Sequence, residues 1–532
     1  MGFIAADRSQ GKLFGYSLED FVGPEAKCRF VVEVVRQLDL SALYADYSDQ
    51  GGDAYDPGTM LATWFFAYSE GISSTRRLEE LCRRDMHYIY VSADLRPDHC
   101  ALSRFRQRHA QRLPDLFVQI IRLARERGVS EFRRIMTDGS KMEAAASSRQ
   151  SRGSKELKAE LARVKEQIAQ YLEQSELLDE QQDEEALELA QVRSKMQKLA
   201  QMEARLLHRQ QQLEKRKKAL QSKDRCRHKI NLVEPEARNM KQVNGRLAAP
   251  AYNAQLSVDA DSQLIVAAEV TDEPNDRNQF SEQHAQVEQN LGADCQRQYT
   301  ADAGYHSLEQ LEYADQQEVD VVIADPRPAS RAAADAKEHR PGEGKEVFRR
   351  ADFRYDQRTD HYECPAGRRL TYWYTENKRG RRIRHYRASG CGGCALRDRC
   401  MKGCKPESDR TITRDESEHL AESMCRKAAS PGGRHRLKER ATTVEPVIGN
   451  LKSNLGFRRF RLRGKAKAGA EFALMCIGHN LGKLYGLAQG PGGHAPDLAP
   501  IVPTALALLC HWCRTITHRT RPCPLPSLVH GL

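Results

Sequence analysis

Three carboxylates stand where the local pattern of the sequence changes: Asp138 closes the apolar run IMTD, Asp302 closes YTAD, and Glu445 lies in the helical stretch RATTVEPVIGNLK. Singly each is ordinary, because a turn Asp is most often a cap and a helical Glu most often solvated. Together they offer the oxygen ligands that hard divalent cations take, with coordination positions left open for water and substrate. Two Mg²⁺ ions roughly 3.5–4 Å apart can activate a nucleophile near neutral pH and offset the charge of a pentavalent phosphate. The chemistry within reach of such a set is phosphodiester cleavage by water or by a 3′-OH, with Asp138 as the ligand shared between the metals.

A second cluster is made of thiols. Cys391, Cys394 and Cys400 follow one another as C-x2-C-x5-C, with Cys364 upstream in ECPAGRRL and Cys404 just beyond. Four thiolates can hold one tetrahedral Zn²⁺, and CGGC supplies the tight turn such ligands use. The best set is Cys364, Cys391, Cys394 and Cys400, with Cys404 able to replace one of them; an unmetallated or redox-active cluster is the alternative. Cys510 and Cys513 form a lone pair in a poorly patterned tail and are read as structural.

The 84 Lys and Arg exceed the 73 Asp and Glu, a net charge of +11 that points toward a polyanionic partner. The excess is local: Arg434 to Lys467 holds eleven basic residues against Glu439 and Glu445. Within it GFRRFRLRGKAK interleaves Phe457 and Phe460 with Arg458, Arg459, Arg461 and Arg463, so the arginines can pair with phosphates while the rings stack on bases or pack inward. Lys452 follows Glu445 by seven positions, about two turns on the same helical face, where it can hold a phosphate or lie solvated.

The elements that must carry these residues can be read from periodicity. Residues 1–125 read as helical, with Pro57 starting the helix MLATWFFAYSEG. SSTRRLEELCRRD and PDHCALSRFRQRH resemble helix-turn-helix material, with Asp98 as a cap and Arg104, Arg106 and Arg108 on the second helix, or else a plain bundle with a basic face. Residues 126–153 contain the strand FRRIMTDGS. From Ser154 to about Lys223 no Pro or Gly occurs, and a 4-3-4 spacing of Leu157, Leu161, Val164 and Ile168 returns from Val192 to Leu220, a coiled-coil pattern over 154–225. The acidic break QSELLDEQQDEEA favours an antiparallel hairpin, although one long dimerising helix would leave a similar trace.

Period two then takes over in 226–330: AYNAQLSVDA and SQLIVAAEVT form a hairpin about Asp261, and RQYTADAGY, LEQLEYADQQ and VDVVIADPR run strand, helix, strand. Residues 331–430 read as a loop-like, Cys-rich insertion, 431–487 as helical with the basic stripe, and 488–532 as a tail. The start of the chain lacks the pattern of a secretory signal, and no run reaches the roughly 18 apolar residues of a membrane span, so a cytoplasmic protein is expected.

Taken in order, IMTDGSKMEAAAS, YNAQLSVDADSQLIVAAEVT, YTADAGYHS, RATTVEPVIGNLKSNLGFRRFRLRG and HNLGKL resemble the DDE transposases of bacterial insertion sequences along the whole of their catalytic region. The resemblance implies an α/β chain with an RNase H-like mixed-sheet core, a helical N-terminal domain that recognises DNA ends, an inserted coiled-coil hairpin and a Cys-rich insert. By position Asp138, Asp302 and Glu445 match the family's three acids, and Arg440 and Lys452 its flanking arginine and lysine. The aromatic usual three residues before that arginine is here Leu437. Glu439 competes as third acid without the downstream lysine at the family spacing. The implied activity is cleavage of insertion-sequence ends and their joining to target DNA with two Mg²⁺ or Mn²⁺ ions. The implied partners are double-stranded DNA, with no membrane, and further copies of the chain on it in the bacterial nucleoid. The alternatives are an RNase H-like nuclease or resolvase, or an inactive DNA-binding derivative.

Overall fold

The computed structural model describes residues 3–4, 17–47, 53–180, 186–218, 228–240, 248–326, 348–378, 380–401, 405 and 407–489. Cys404, the acidic break at 181–185 and the tail with Cys510 and Cys513 fall outside the described residues.

The site is built on a mixed six-stranded sheet. Its strands are β1 (Arg134–Glu143), β2 (Arg238–Met240), β3 (Ala249–Asp259), β4 (Ile265–Thr271), β5 (Gln298–Ala301) and β6 (Asp320–Ile323). The order is β6-β5-β1-β3-β2, and β4 also pairs with β3. β3 is antiparallel to β1, β2 and β4, whereas β5 runs parallel to both β1 and β6. The hairpin expected about Asp261 is therefore β3–β4. β3 is buried along nearly its whole length, which is why it reads as an almost continuous apolar and small-residue run.

Helices cover the sheet: α1 (Lys27–Arg36), α2 (Pro57–Ser69), α3 (Thr75–Arg84), α4 (Met86–Val91), α5 (His99–Arg108) and α6 (Leu113–Glu126) precede it. Asp56 caps α2 by accepting from Thr59 N–H at 2.7 Å, with Pro57 in the first turn, and Asp98 caps α5 through Ala101 N–H. The Asp98 cap and the Pro57 start fall where the sequence places them. Of the three arginines expected on a basic face of α5, Arg104 and Arg108 are exposed, Arg108 donating to the Asp46 carbonyl and lying over the Tyr47 ring, whereas Arg106 is buried and donates to the Tyr68 hydroxyl. A guanidinium has enough reach to serve as an internal tie as readily as a phosphate clamp, and spacing does not distinguish the two.

Between β1 and β2 stand α7 (Ser154–Glu180) and α8 (Ala186–Lys218). Ser154 meets Glu214 while Lys165 meets Glu203, so the two helices run antiparallel. Leu157, Leu161, Val164 and Ile168 pack against Leu199, Leu206 and Leu213 along the seam.

The chain continues through α9 (Phe280–Leu291) and α10 (Leu308–Gln316), the latter between β5 and β6. The Cys-rich stretch, expected to be loop-like, instead forms a five-stranded antiparallel meander. Its strands are β7 (Arg354–Asp356), β8 (His361–Glu363), β9 (Arg369–Lys378), β10 (Arg381–Arg387) and β11 (Thr411–Asp415). Few side chains hold it together: Phe353, Tyr362, Leu370, Tyr386 and Ile412 make most of its core. One or so inward residue per strand gives no apolar run to read.

After it come α11 (Glu418–Ala429), α12 (Pro431–Gly449) and α13 (Lys465–Ala488). α13 lies against α2, α6 and β4, so one apolar core extends from Leu18 to Leu484. No described helix is long and apolar enough to cross a membrane.

Candidate active site

Register decides which acids meet. In the parallel pair β1–β5, Thr137 stands opposite Ala301, so the next residue on each strand is Asp138 and Asp302. Both side chains thus leave neighbouring strands at the same level, by the end of β5, a placement typical of ligand sites. Burial pushes the Asp138 carboxyl above the usual carboxylate range, and the Asp302 charge adds to this against the pull of Arg440 and the Gly139 N–H. Asp302 is raised for the same first reason, and Arg440 and the Gly304 N–H oppose it. Two half-buried carboxylates side by side are a site short of positive charge.

α12 lies across this end of the sheet and supplies some of that charge. Arg440 Nη1 donates to Asp138 Oδ2 at 3.0 Å, with both side chains largely buried. Past Pro446 the helix widens into a π turn at Asn450–Asn454. A π turn inserts one extra residue and shifts the face that follows it. There Lys452 Nζ donates to Ser140 Oγ at 2.6 Å and to the Lys141 carbonyl at 2.8 Å, and burial lowers its pKa. Lys452 is thus a partly buried tie to β1 rather than a solvated lysine.

Glu445 lies between these two cations in sequence and is exposed. Glu439, the competing acid, pairs with Arg134, four residues before Asp138 on β1. Among the described residues, no group of three or more His, Cys, Asp or Glu side chains is close enough to hold a metal ion. The structure brings Asp138, Asp302, Arg440 and Lys452 together, and Glu445 stays outside that set.

Of the basic run, Phe457 and Phe460 are buried, packing against Tyr68 and Tyr252, so they are not stacking platforms for bases. Arg458 donates to the Lys452 carbonyl at 2.9 Å, and Arg459 pairs with Glu143 at 2.8 Å. Arg461 and Arg463 are exposed. The run is a surface of arginines laid over an aromatic core.

The thiols of Cys364, Cys391, Cys394 and Cys400 line one small cavity with Phe353, Leu396 and Arg410. Arg368 N–H donates to Cys364 Sγ at 3.3 Å and Arg410 N–H to Cys391 Sγ at 3.5 Å. Burial, and then the neighbouring thiols, pushes Cys400 up.

Residues 363–485 match the family described as Transposase DDE domain, and residues 16–108 match the Transposase domain family DUF772. Two separate segments of the chain, together less than half of its length, are thus similar to transposase domains. A comparison with curated proteins found no match. One matched segment covers α1 to α5, and the other runs from the end of β8 through the rest of the meander, α11 and α12 into α13. Of the three acids read from the sequence, Glu445 falls inside a matched segment, while Asp138 and Asp302 precede it.

Sequence reasoning passed over Asp276, whose carboxylate stands beside Gly139 and Gly304 and is bonded by Asn253 and Gln255. The available signal was the pair of glycines that directly follow or closely follow the two acids.

Proposed function

We propose that this chain is a transposase that cleaves the ends of its insertion sequence and joins them to target DNA from an RNase H-like core, with Asp138, Asp302 and Glu445 as the catalytic acids. The observation that carries the reading is the register that sets Asp138, midway along β1, beside Asp302, just past the end of β5, facing Arg440 and Lys452. The sheet order, with the β3–β4 hairpin joined antiparallel to one edge of β1 and the parallel strands β5 and β6 on the other, supports the RNase H-like assignment.

Asp138 and Asp302 fit a hard divalent cation in kind, since burial disfavours their charge without a cation, while the exposed Glu445 would have to swing in to join them. Asp138, Asp302 and Glu445 would hold two Mg²⁺ or Mn²⁺ ions. When bound, these supply activation of a water or 3′-hydroxyl and charge on the phosphate.

The chain's own residues do the rest. Arg440 balances Asp138 and is placed to take a phosphate oxygen when a cation takes over that carboxylate. Lys452 fixes the strand segment just past Asp138 through Ser140. Arg458, Arg459, Arg461 and Arg463 extend the cationic surface along which the DNA backbone runs.

In this reading the helical N-terminal region contributes to recognition of DNA ends, the α7–α8 pair is a coiled-coil assembly element, and the enzyme works as a homodimer or higher oligomer in the bacterial nucleoid. The meander is read as an insert that binds zinc through Cys364, Cys391, Cys394 and Cys400, which line one cavity but do not lie close enough together to hold the ion without moving. Metal analysis of the purified protein is expected to give about one zinc per chain, and a folded, active zinc-free preparation would remove this part.

The test of the function is incubation of the protein with its element's own DNA ends and Mg²⁺. Nicked ends that become joined to target are expected. Hydrolysis without joining would favour a nuclease on the same core, and no cutting would favour a DNA-binding derivative.

A further inference from the structure

Asp276 belongs to the P-N-D turn that follows β4, distant in sequence from both Asp138 and Asp302. Its Oδ1 accepts from Asn253 Nδ2 at 2.7 Å and from Gln255 Nε2 at 2.5 Å. Both amides are buried on β3, where Gln255 stands opposite Gly139 and Asn253 opposite Lys141 of β1. Gln255 also accepts from the hydroxyl of buried Tyr305, which lies three residues after Asp302. One chain of hydrogen bonds thus links Asp276, the strand β3 that pairs with the strand of the first acid, and the turn after the second.

The two glycines beside the acids show how tightly this carboxylate is fitted. A Cβ at Gly139 would run into Asp276 Oδ1 and Gln255 Nε2. A Cβ at Gly304 would lie 3.0 Å from Asp302 Oδ1 and 3.3 Å from Asp276 Oδ2. The Asp138-Gly139 step inside β1 leaves no room for a side chain because Asp276 presses on it, and at Gly304 the Asp302 and Asp276 carboxylates together crowd the same space. Its charge also acts on Asp302.

We propose that Asp276 is a positioning residue of the catalytic site: it packs against the strand segment after Asp138 and the turn after Asp302, and supplies the added negative charge with which the two acids draw in a divalent cation. This rests on the metal-dependent reading given above. Bracing alone would be met by an amide, because the single oxygen of an asparagine can accept the same two bonds from Asn253 and Gln255. What an amide removes is the charge beside Asp302. Asp276→Asn therefore separates the two contributions.

The experiment is calorimetric titration of Mn²⁺ into the full-length, DNA-free protein, with the thermal midpoint measured alongside. Asp276→Asn is expected to keep the wild-type midpoint and to bind Mn²⁺ about tenfold more weakly, the size of effect typical of a residue just behind the ligands. The Mg²⁺ concentration for half-maximal end cleavage should rise in proportion, and Asp276→Glu should recover part of the affinity. Asp138→Asn is the arm that tests the parent reading. Weak binding in Asp138→Asn with wild-type binding in Asp276→Asn overturns the role of Asp276 alone, whereas wild-type binding in both removes the metal site and this inference with it. Should Asp276→Asn fail to fold, Fe²⁺-directed cleavage of the wild-type backbone decides: cuts are expected beside Asp138, Asp302 and Asp276, and their absence at Asp276 overturns the proposal.

Discussion

Arg106 of α5 and Glu471 of α13 meet in the interior, Nη1 3.8 Å from Oε1, with side chains 5% and 0% exposed. The Tyr68 hydroxyl lies between them, accepting from Arg106 at 2.9 Å and donating to Glu471 at 3.3 Å. The other Glu471 oxygen accepts from the backbone N–H of Arg461 and Leu462 at 2.8 and 2.9 Å. A buried ion pair thereby fastens the N-terminal helices to the segment that carries the exposed arginines. Removing one partner leaves a buried charge uncompensated, so Arg106→Met should cost roughly 3–5 kcal/mol. Urea unfolding measures it; a loss below about 1 kcal/mol would show that the pair is not the fastening described.

The acids themselves make a second prediction. Asp138→Asn, Asp302→Asn and Glu445→Gln keep approximate size and remove charge, and each should lower end cleavage by more than about a hundredfold while DNA binding persists. Glu439→Gln is the control, since Glu439 is engaged by Arg134. Assays with labelled DNA ends separate the cases: if Glu439→Gln abolishes cutting and Glu445→Gln does not, the third acid is Glu439.

The basic run should divide by side-chain type. Changing Arg458 and Arg459 together to Ala should weaken DNA binding and flatten its salt dependence by about 0.9 in log–log slope for each phosphate that is no longer neutralised. Phe460→Ala, by contrast, should destabilise the fold by roughly 3–5 kcal/mol, because that ring is fully buried. An unchanged salt slope in the arginine double variant would take the run out of the DNA interface.

His479 links stability to pH. Its Nε2 donates to the Gln263 carbonyl at 3.0 Å, and Nδ1 accepts from Asn450 Nδ2 at 2.9 Å, the pattern of a neutral ring. Burial holds its pKa down to about 4, against an ordinary value of 6.5. An unfolded chain takes up this proton as pH falls through 6.5, while the folded chain refuses it until about 4. The contribution is therefore full above pH 6.5 and is lost progressively between 6.5 and 4, by roughly 3 kcal/mol at most. Denaturation midpoints across that window should fall more steeply in the wild type than in His479→Gln. Equal slopes would show that the ring titrates normally.

The elements whose information is local could be read from the sequence alone. Alternating apolar residues mark β3 and β4, a proline marks the start of α2, and heptad leucines mark α7 and α8, because each pattern repeats within a few residues of itself. The acids Asp138 and Asp302 were legible for the same reason, as polar ends to apolar runs. Tertiary structure alone decided what depends on distant partners. It placed Asp276 against the strand segment after Asp138 and the turn after Asp302, drew Arg106 inward to Glu471, and turned Phe457 and Phe460 into core. It also folded the Cys-rich stretch into a meander held by about one inward side chain per strand. Whether an arginine meets a phosphate or a buried glutamate, or a phenylalanine meets a base or a tyrosine, is set by strand register and helix packing, and neither leaves a periodic trace in the residues themselves.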